Sequence, residues 1–72
     1  SGLIIVSIDE ASSAYENGLR KGDIITDVAQ KPVNTVKEVA ELVSSAKSEG
    51  RKSVLLLVRR EGQPRFIVLK FN

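Results

Sequence analysis

The sequence contains neither cysteine nor histidine. Without cysteine, no disulfide framework and no thiolate-held metal stabilises the fold, and neither an oxidising nor a reducing compartment is favoured. Without histidine, the usual general base and the commonest metal ligand are gone. Ser12-Ser13 and Ser44-Ser45 therefore have no imidazole to activate their hydroxyls. Aromatic residues are scarce as well: Tyr15, Phe66 and Phe71 are the whole set. Two of them read as core, which leaves no aromatic pair on which bases could stack. Arg51, Lys52, Arg59, Arg60 and Arg65 are interrupted by Glu61 and flank strands, so they read as a solvated rim and not as a nucleic-acid patch. Eleven Lys and Arg against nine Asp and Glu give a net charge of only +2. No apolar run is long enough to span a bilayer; the longest are Leu3-Ile4-Ile5-Val6 and Val54-Leu55-Leu56-Leu57-Val58. Asp9-Glu10 and the pair Asp23 and Asp27 read as isolated structural carboxylates. No catalytic residue, metal site or cofactor is expected.

What is present fits one domain of 72 residues. The chain opens in Ser1-Gly2 and passes at once into a strand-like run. It reads as an excised domain, with Ser1 as a cloning remnant. Leu3 to Ile8 is short and rich in β-branched residues, which predicts a buried strand. Asp9-Glu10-Ala11-Ser12 breaks it, and Ser13 to Asn17 predicts a single helical turn ended by Gly18 in a left-handed cap. Lys21-Gly22-Asp23 turns the chain into a strand over Ile24 to Val28, with Ile24, Thr26 and Val28 on one face. Ala29-Gln30-Lys31-Pro32 turns it again, and Pro32 excludes a central strand there.

Thr35-Val36-Lys37-Glu38 has the spacing of a capping box, in which hydroxyl and carboxylate each satisfy a free N–H. In the helix that follows, Val36, Val39, Ala40, Leu42, Val43 and Ala46 form an apolar arc wider than one core stripe needs. Glu49-Gly50 ends the helix. Ser53 to Arg60 predicts a strand, Glu61-Gly62-Gln63-Pro64 a hairpin loop, and Arg65 to Phe71 the returning strand. In that strand Phe66, Val68 and Lys70 face one way, and Ile67, Leu69 and Phe71 the other. Strands that do not alternate regularly with helices predict an α+β domain: a small, mostly antiparallel sheet or partial barrel with one short and one long helix.

The segment from Ala14 to Ile25 resembles the most recognisable stretch of PDZ domains: a small residue, a short helix, Gly18-Leu19, two residues, Gly22-Asp23, then Ile24-Ile25. Lys31-Pro32-Val33 before a capped helix, and Val58-Arg59-Arg60-Glu61-Gly62 closing a hairpin, extend the resemblance over nearly the whole chain. They are most similar to the HtrA or Do-like serine proteases, in particular to their second, C-terminal PDZ domain. One departure is Ala29-Gln30, where such turns usually carry Asn-Gly.

The resemblance implies a peptide-recognition module, not an enzyme, with the parent's catalytic triad in another domain. It implies a groove lined by Val36, Ala40 and Val43, spaced i, i+4, i+7, while Val39, Leu42 and Ala46 face the core. Ligands would be hydrophobic C-terminal or extended segments of peptides or unfolded proteins, added as a strand to support substrate recruitment or regulation. Neighbouring protease protomers are a further partner class; nucleic acid and membrane insertion are not expected. The location implied is periplasmic. In PDZ domains the carboxylate-binding loop and the strand beside the peptide lie upstream of the segment matched by Leu3 to Ile8. Residues 1–72 are therefore expected to be one such domain truncated at its N-terminus, and Gly2-Leu3 is not that loop. The alternatives are a structural docking or oligomerisation domain without a peptide ligand, or a PDZ domain of another membrane or periplasmic protease or secretion component.

Overall fold

The computed structural model describes residues 2–71, so Ser1, read above as a cloning remnant, lies outside the described residues. The elements follow in the order β1 (Leu3–Ile4), α1 (Ser13–Glu16), β2 (Ile24–Val28), β3 (Lys31–Pro32), α2 (Val36–Ser48), β4 (Ser53–Arg60) and β5 (Gln63–Lys70). The five strands form one antiparallel sheet, not a closed barrel, in the order β1-β2-β4-β5. β3 pairs with the second half of β2 at Asp27 and Val28, while β1 pairs with its first half at Ile24 and Ile25. The α+β architecture with one short and one long helix is the one the sequence predicts.

Several local expectations are corrected. The first strand is two residues long and does not run to Ile8. Its ladder ends with the Ile5 N–H donating to the Asp23 carbonyl at 2.8 Å; Val6 and Ser7 are exposed, and Ile8 returns to the core. In β2 the register shifts between Ile25 and Asp27, which marks a bulge at Thr26. One extra residue breaks the two-residue period, so the buried pair is Ile25 and Val28, and not the set Ile24, Thr26 and Val28. The β4–β5 turn contains only Glu61 and Gly62, at φ 53° and 79°. Both left-handed values suit a tight hairpin turn, so Gln63 and Pro64 already belong to the strand. Pro64 is tolerated because β5 is an edge. Pro32 also sits in a strand, the two-residue β3 at the sheet margin. Of the three aromatic residues, only Phe71 packs against the core; Tyr15 is half-buried, and Phe66 is exposed.

The core joins Leu19, Ile25, Val28 and Val33 to Ala46 of α2 and to Val54, Leu56, Val58 and Ile67 of the hairpin. Burying aliphatic side chains of this kind stabilises by about 1.5–3 kcal/mol each. Helix α2 is started by a full capping box: the Glu38 N–H donates to Thr35 Oγ1 at 3.1 Å, and the Thr35 N–H donates to Glu38 Oε1 at 3.1 Å. A second donor, the Asn34 N–H, reaches the same carboxylate oxygen at 2.7 Å. These N–H groups hold the Glu38 carboxyl below its ordinary pKa, the Asn34 contact contributing most. At the start of α1, Ser12 Oγ accepts from the Tyr15 N–H at 3.2 Å and donates to the Asp9 carbonyl at 2.6 Å. That hydroxyl caps a helix.

Candidate functional site

Helix α2 is apolar on two sides. Val39 and Leu42 are half-buried against the core and Ala46 is buried, with 4% of its surface exposed. Turned away from them, Val36 is 69% exposed and Ala40 is exposed, while Val43 is half-buried and also touches the core. At 3.6 residues per turn, positions 36, 40 and 43 lie along one face. The three groove residues expected from the sequence thus form one apolar stripe, open at its N-terminal end and sinking toward the core at Val43.

Strand β1 supplies a second feature. Ile5 bonds to β2 through Asp23, and the Leu3↔Ile25 pair has the same parity. The alternation of an antiparallel ladder therefore turns the main-chain groups of Gly2 and Ile4 away from β2. On that side the Gly2 N–H donates to Asn34 Oδ1 at 2.9 Å. Asn34 immediately precedes the Thr35 cap, so the free edge of β1 and the start of α2 are neighbours. Ile4 and Val6, 56% and 72% exposed, carry apolar side chains along this edge. The Asn34 tether was not legible in the sequence, because it joins positions 32 residues apart. The exposure of Ile4 and Val6 follows the two-residue alternation, which does give a signal.

Behind the site, one polar network ties the loop after α1 to the end of β4. Asp23 is 1% exposed, and Arg60 grips it with two bonds of 2.8 Å, Nε to Oδ1 and Nη2 to Oδ2. The Arg20 N–H donates to Oδ2 at 2.9 Å, and Arg60 Nη2 also donates to the Gly18 carbonyl at 2.8 Å. The Arg60 guanidinium, assisted by the Arg20 N–H, holds the Asp23 carboxyl below its ordinary pKa against the opposing effect of burial. Asp23 in turn raises the pKa of Arg60. Asp23 is thus not an isolated carboxylate, and Arg60 is not part of a solvated rim. Arg20 stacks over the Tyr15 ring with its Cζ 3.7 Å from the centroid. Among the described residues no group of His, Cys, Asp or Glu is placed to hold a metal ion, and no helix is long and apolar enough to cross a membrane.

Comparison with known proteins bears on the family and the fold. The family model for the PDZ domain matches residues 4–60. A protein of Bartonella henselae named "Probable periplasmic serine endoprotease DegP-like" is 38% identical over 68 residues, which is 94% of this chain and 14% of that protein. Its namesake in Brucella suis is 34% identical over 71 residues, 99% of this chain and again 14% of that protein. The chain thus spans about a seventh of these curated relatives. Among solved structures, the HtrA3 PDZ domain bound to a phage-derived ligand (FGRWV) matches with a TM-score of 0.82 and 26% identity, over 97% of this chain and 62% of that one.

Proposed function

The chain belongs to the PDZ domain family, and from that premise we propose that it is a non-catalytic peptide-recognition module of a DegP-like serine protease in the periplasm. The observation that carries the reading is the apolar stripe of Val36, Ala40 and Val43 on α2, set beside a β1 edge whose main-chain groups face away from the sheet. PDZ domains take a peptide as a strand added between an apolar helix face and a strand edge, and the β1 edge beside α2 leaves room for the strand that would offer that edge. The periplasmic setting is supported by the names of the curated relatives, and a peptide ligand by that of the HtrA3 domain. The parent's catalytic triad would lie in the remainder of such a protein. On this reading the strand that pairs with β1, and the loop that binds a terminal carboxylate, come from sequence preceding residue 1.

The energetics suit reversible capture. Each main-chain hydrogen bond nets about 1 kcal/mol, and one buried aliphatic anchor adds about 1.5–3 kcal/mol. After the costs of association, a complete groove would bind with a dissociation constant on the order of micromolar. The test is a titration with a peptide ending in an aliphatic residue, followed by amide NMR on this chain and on one extended at its N-terminus by parental sequence. The extended chain should show saturable shifts at Val36, Ala40 and Val43. Ala40→Glu, on an exposed position, should abolish them and leave the fold intact. If the extended chain shows no shift along α2, peptide capture is wrong and a docking role between protomers takes its place.

A further inference from the structure

β5 forms the other margin of the sheet, paired on one side only among the described residues. A two-residue turn makes Arg60 and Gln63 a hydrogen-bonded pair, so alternation sends the main-chain groups of Pro64, Phe66, Val68 and Lys70 away from β4. The two ends of this edge are closed. Pro64 has no N–H, and the Lys70 N–H already donates to Asn17 Oδ1 at 3.3 Å. Between them Phe66 and Val68 turn their N–H and C=O groups outward, with side chains 67% and 48% exposed.

The two faces of that window differ in chemistry. On the outer face Phe66 stands across from Leu57 and Val68 across from Leu55, both half-buried, which makes a short apolar row. Toward α1 the edge borders a groove of about 490 Å³ whose lining includes Arg20, Arg60, Arg65 and Lys70, with Glu16 as its one carboxylate side chain. Arg60 is committed to Asp23, and Arg20 to the carbonyls of Tyr15 and Leu19. Arg65 is exposed and makes no ion pair among the described residues.

We propose that the Phe66–Val68 edge of β5 is a second peptide-binding site, which takes an extended segment whose apolar side chains alternate with acidic ones. A strand added here puts every second side chain on the outer face beside Phe66 and Val68, and the others over the cationic groove near Arg65. Charge selects this occupant over a second copy of the chain, because paired copies would bring two cationic grooves together. The site is separate from α2 and does not depend on the reading given above for that helix.

The probe is a six-residue peptide of alternating Val and Glu, blocked at both ends so that terminal-carboxylate capture plays no part. Added to the intact chain at low salt, it should give saturable amide shifts at Phe66 and Val68. Arg65→Glu should weaken binding roughly threefold to tenfold. Phe66→Ala, on an exposed position, should weaken it while leaving the remaining spectrum folded. The corresponding Val and Lys peptide should not bind. Equal binding of the Lys peptide would overturn the proposal, as would shifts confined to α2 or none at all. Concentration-dependent shifts at Phe66 and Val68 without peptide, together with a dimer in sedimentation, would assign the edge to a second copy and overturn it too.

Discussion

At Asp23 a carboxylate with 1% of its surface exposed is held by two guanidinium nitrogens and a backbone N–H. Its position is demanding: it closes the turn before β2 and, through Arg60, reaches the carbonyl of Gly18, where φ is 113° and a Cβ would be strained. Asp23→Asn removes the charge and keeps one acceptor oxygen, so its NH2 group then faces a donor of Arg60 or the Arg20 N–H; breaking such a pair outright costs about 3 kcal/mol when the partner stays buried. Arg60 keeps 27% of its side chain exposed, so Asp23→Asn should cost somewhat less, read as a lowered urea midpoint at pH 7. The sign of the pH effect follows from the lowered folded-state pKa. The stabilisation is fully present above the ordinary carboxylate value, about pH 4, and is lost as pH falls through the lower folded value. Denaturation of the native chain from pH 7 down to pH 2 should therefore show an acid-side loss that Asp23→Asn reduces, the part owed to Glu38 remaining. An unchanged profile in the variant would place the acid sensitivity elsewhere.

The element that departs most from its ideal chemistry is the β2–β3 turn. Ala29 and Gln30 sit at φ 51° and 66°, both in the left-handed region that a tight two-residue hairpin demands. Residues other than Gly, Asn and Asp adopt this region at a cost of about 1 kcal/mol or more each. The Ala29-Gln30 departure noted in the sequence is thus a strained turn, held in place because β3 pairs with β2 at Asp27 and Val28 and the Val33 N–H bonds to Thr26. Replacing Ala29-Gln30 by Asn-Gly should raise stability by about 1–2 kcal/mol, measured as an increase in Tm or in urea midpoint. A fall instead would mean that the two side chains contribute contacts worth more than the strain. The bulge at Thr26 belongs to the same element, and its effect is to set both Ile25 and Val28 into the core.

Across the whole sheet, β1 and β5 each lack a second strand partner among the described residues, and the two edges are guarded differently. β1 is limited to two residues and tied at Gly2 to Asn34, whereas β5 runs for eight and is interrupted by Pro64 and the Lys70–Asn17 bond. Short strands and edge prolines are the usual protection against pairing between chains. The proposed groove at β1 predicts that N-terminal extension by parental sequence slows hydrogen exchange at the Ile4 amide several-fold or more, because that N–H gains a strand partner. It should leave Phe66 and Val68 unchanged. Equal exchange at Ile4 in the two chains would show that no strand pairs there.

Much of this was legible in the sequence because it is local. Gly18, the capping box from Thr35 to Glu38, the apolar run of Val54 to Val58 and the turn glycines each act over a few residues, and together they set the order of elements. Helical period alone shows that the apolar arc of α2 is wider than one core stripe; naming Val36, Ala40 and Val43 as its groove side took the resemblance to PDZ domains as well. Tertiary structure decided what depends on partners distant in the chain. Asp23 meets Arg60 across 37 positions and Gly2 meets Asn34 across 32, and no local pattern encodes either contact. The bulge at Thr26 reverses the facing of β2 because register is settled between strands, not within one. The same holds for which strands end as edges: composition gives the strands, and only their arrangement in the sheet leaves the outward main-chain groups of β1 and β5 without a strand partner among the described residues.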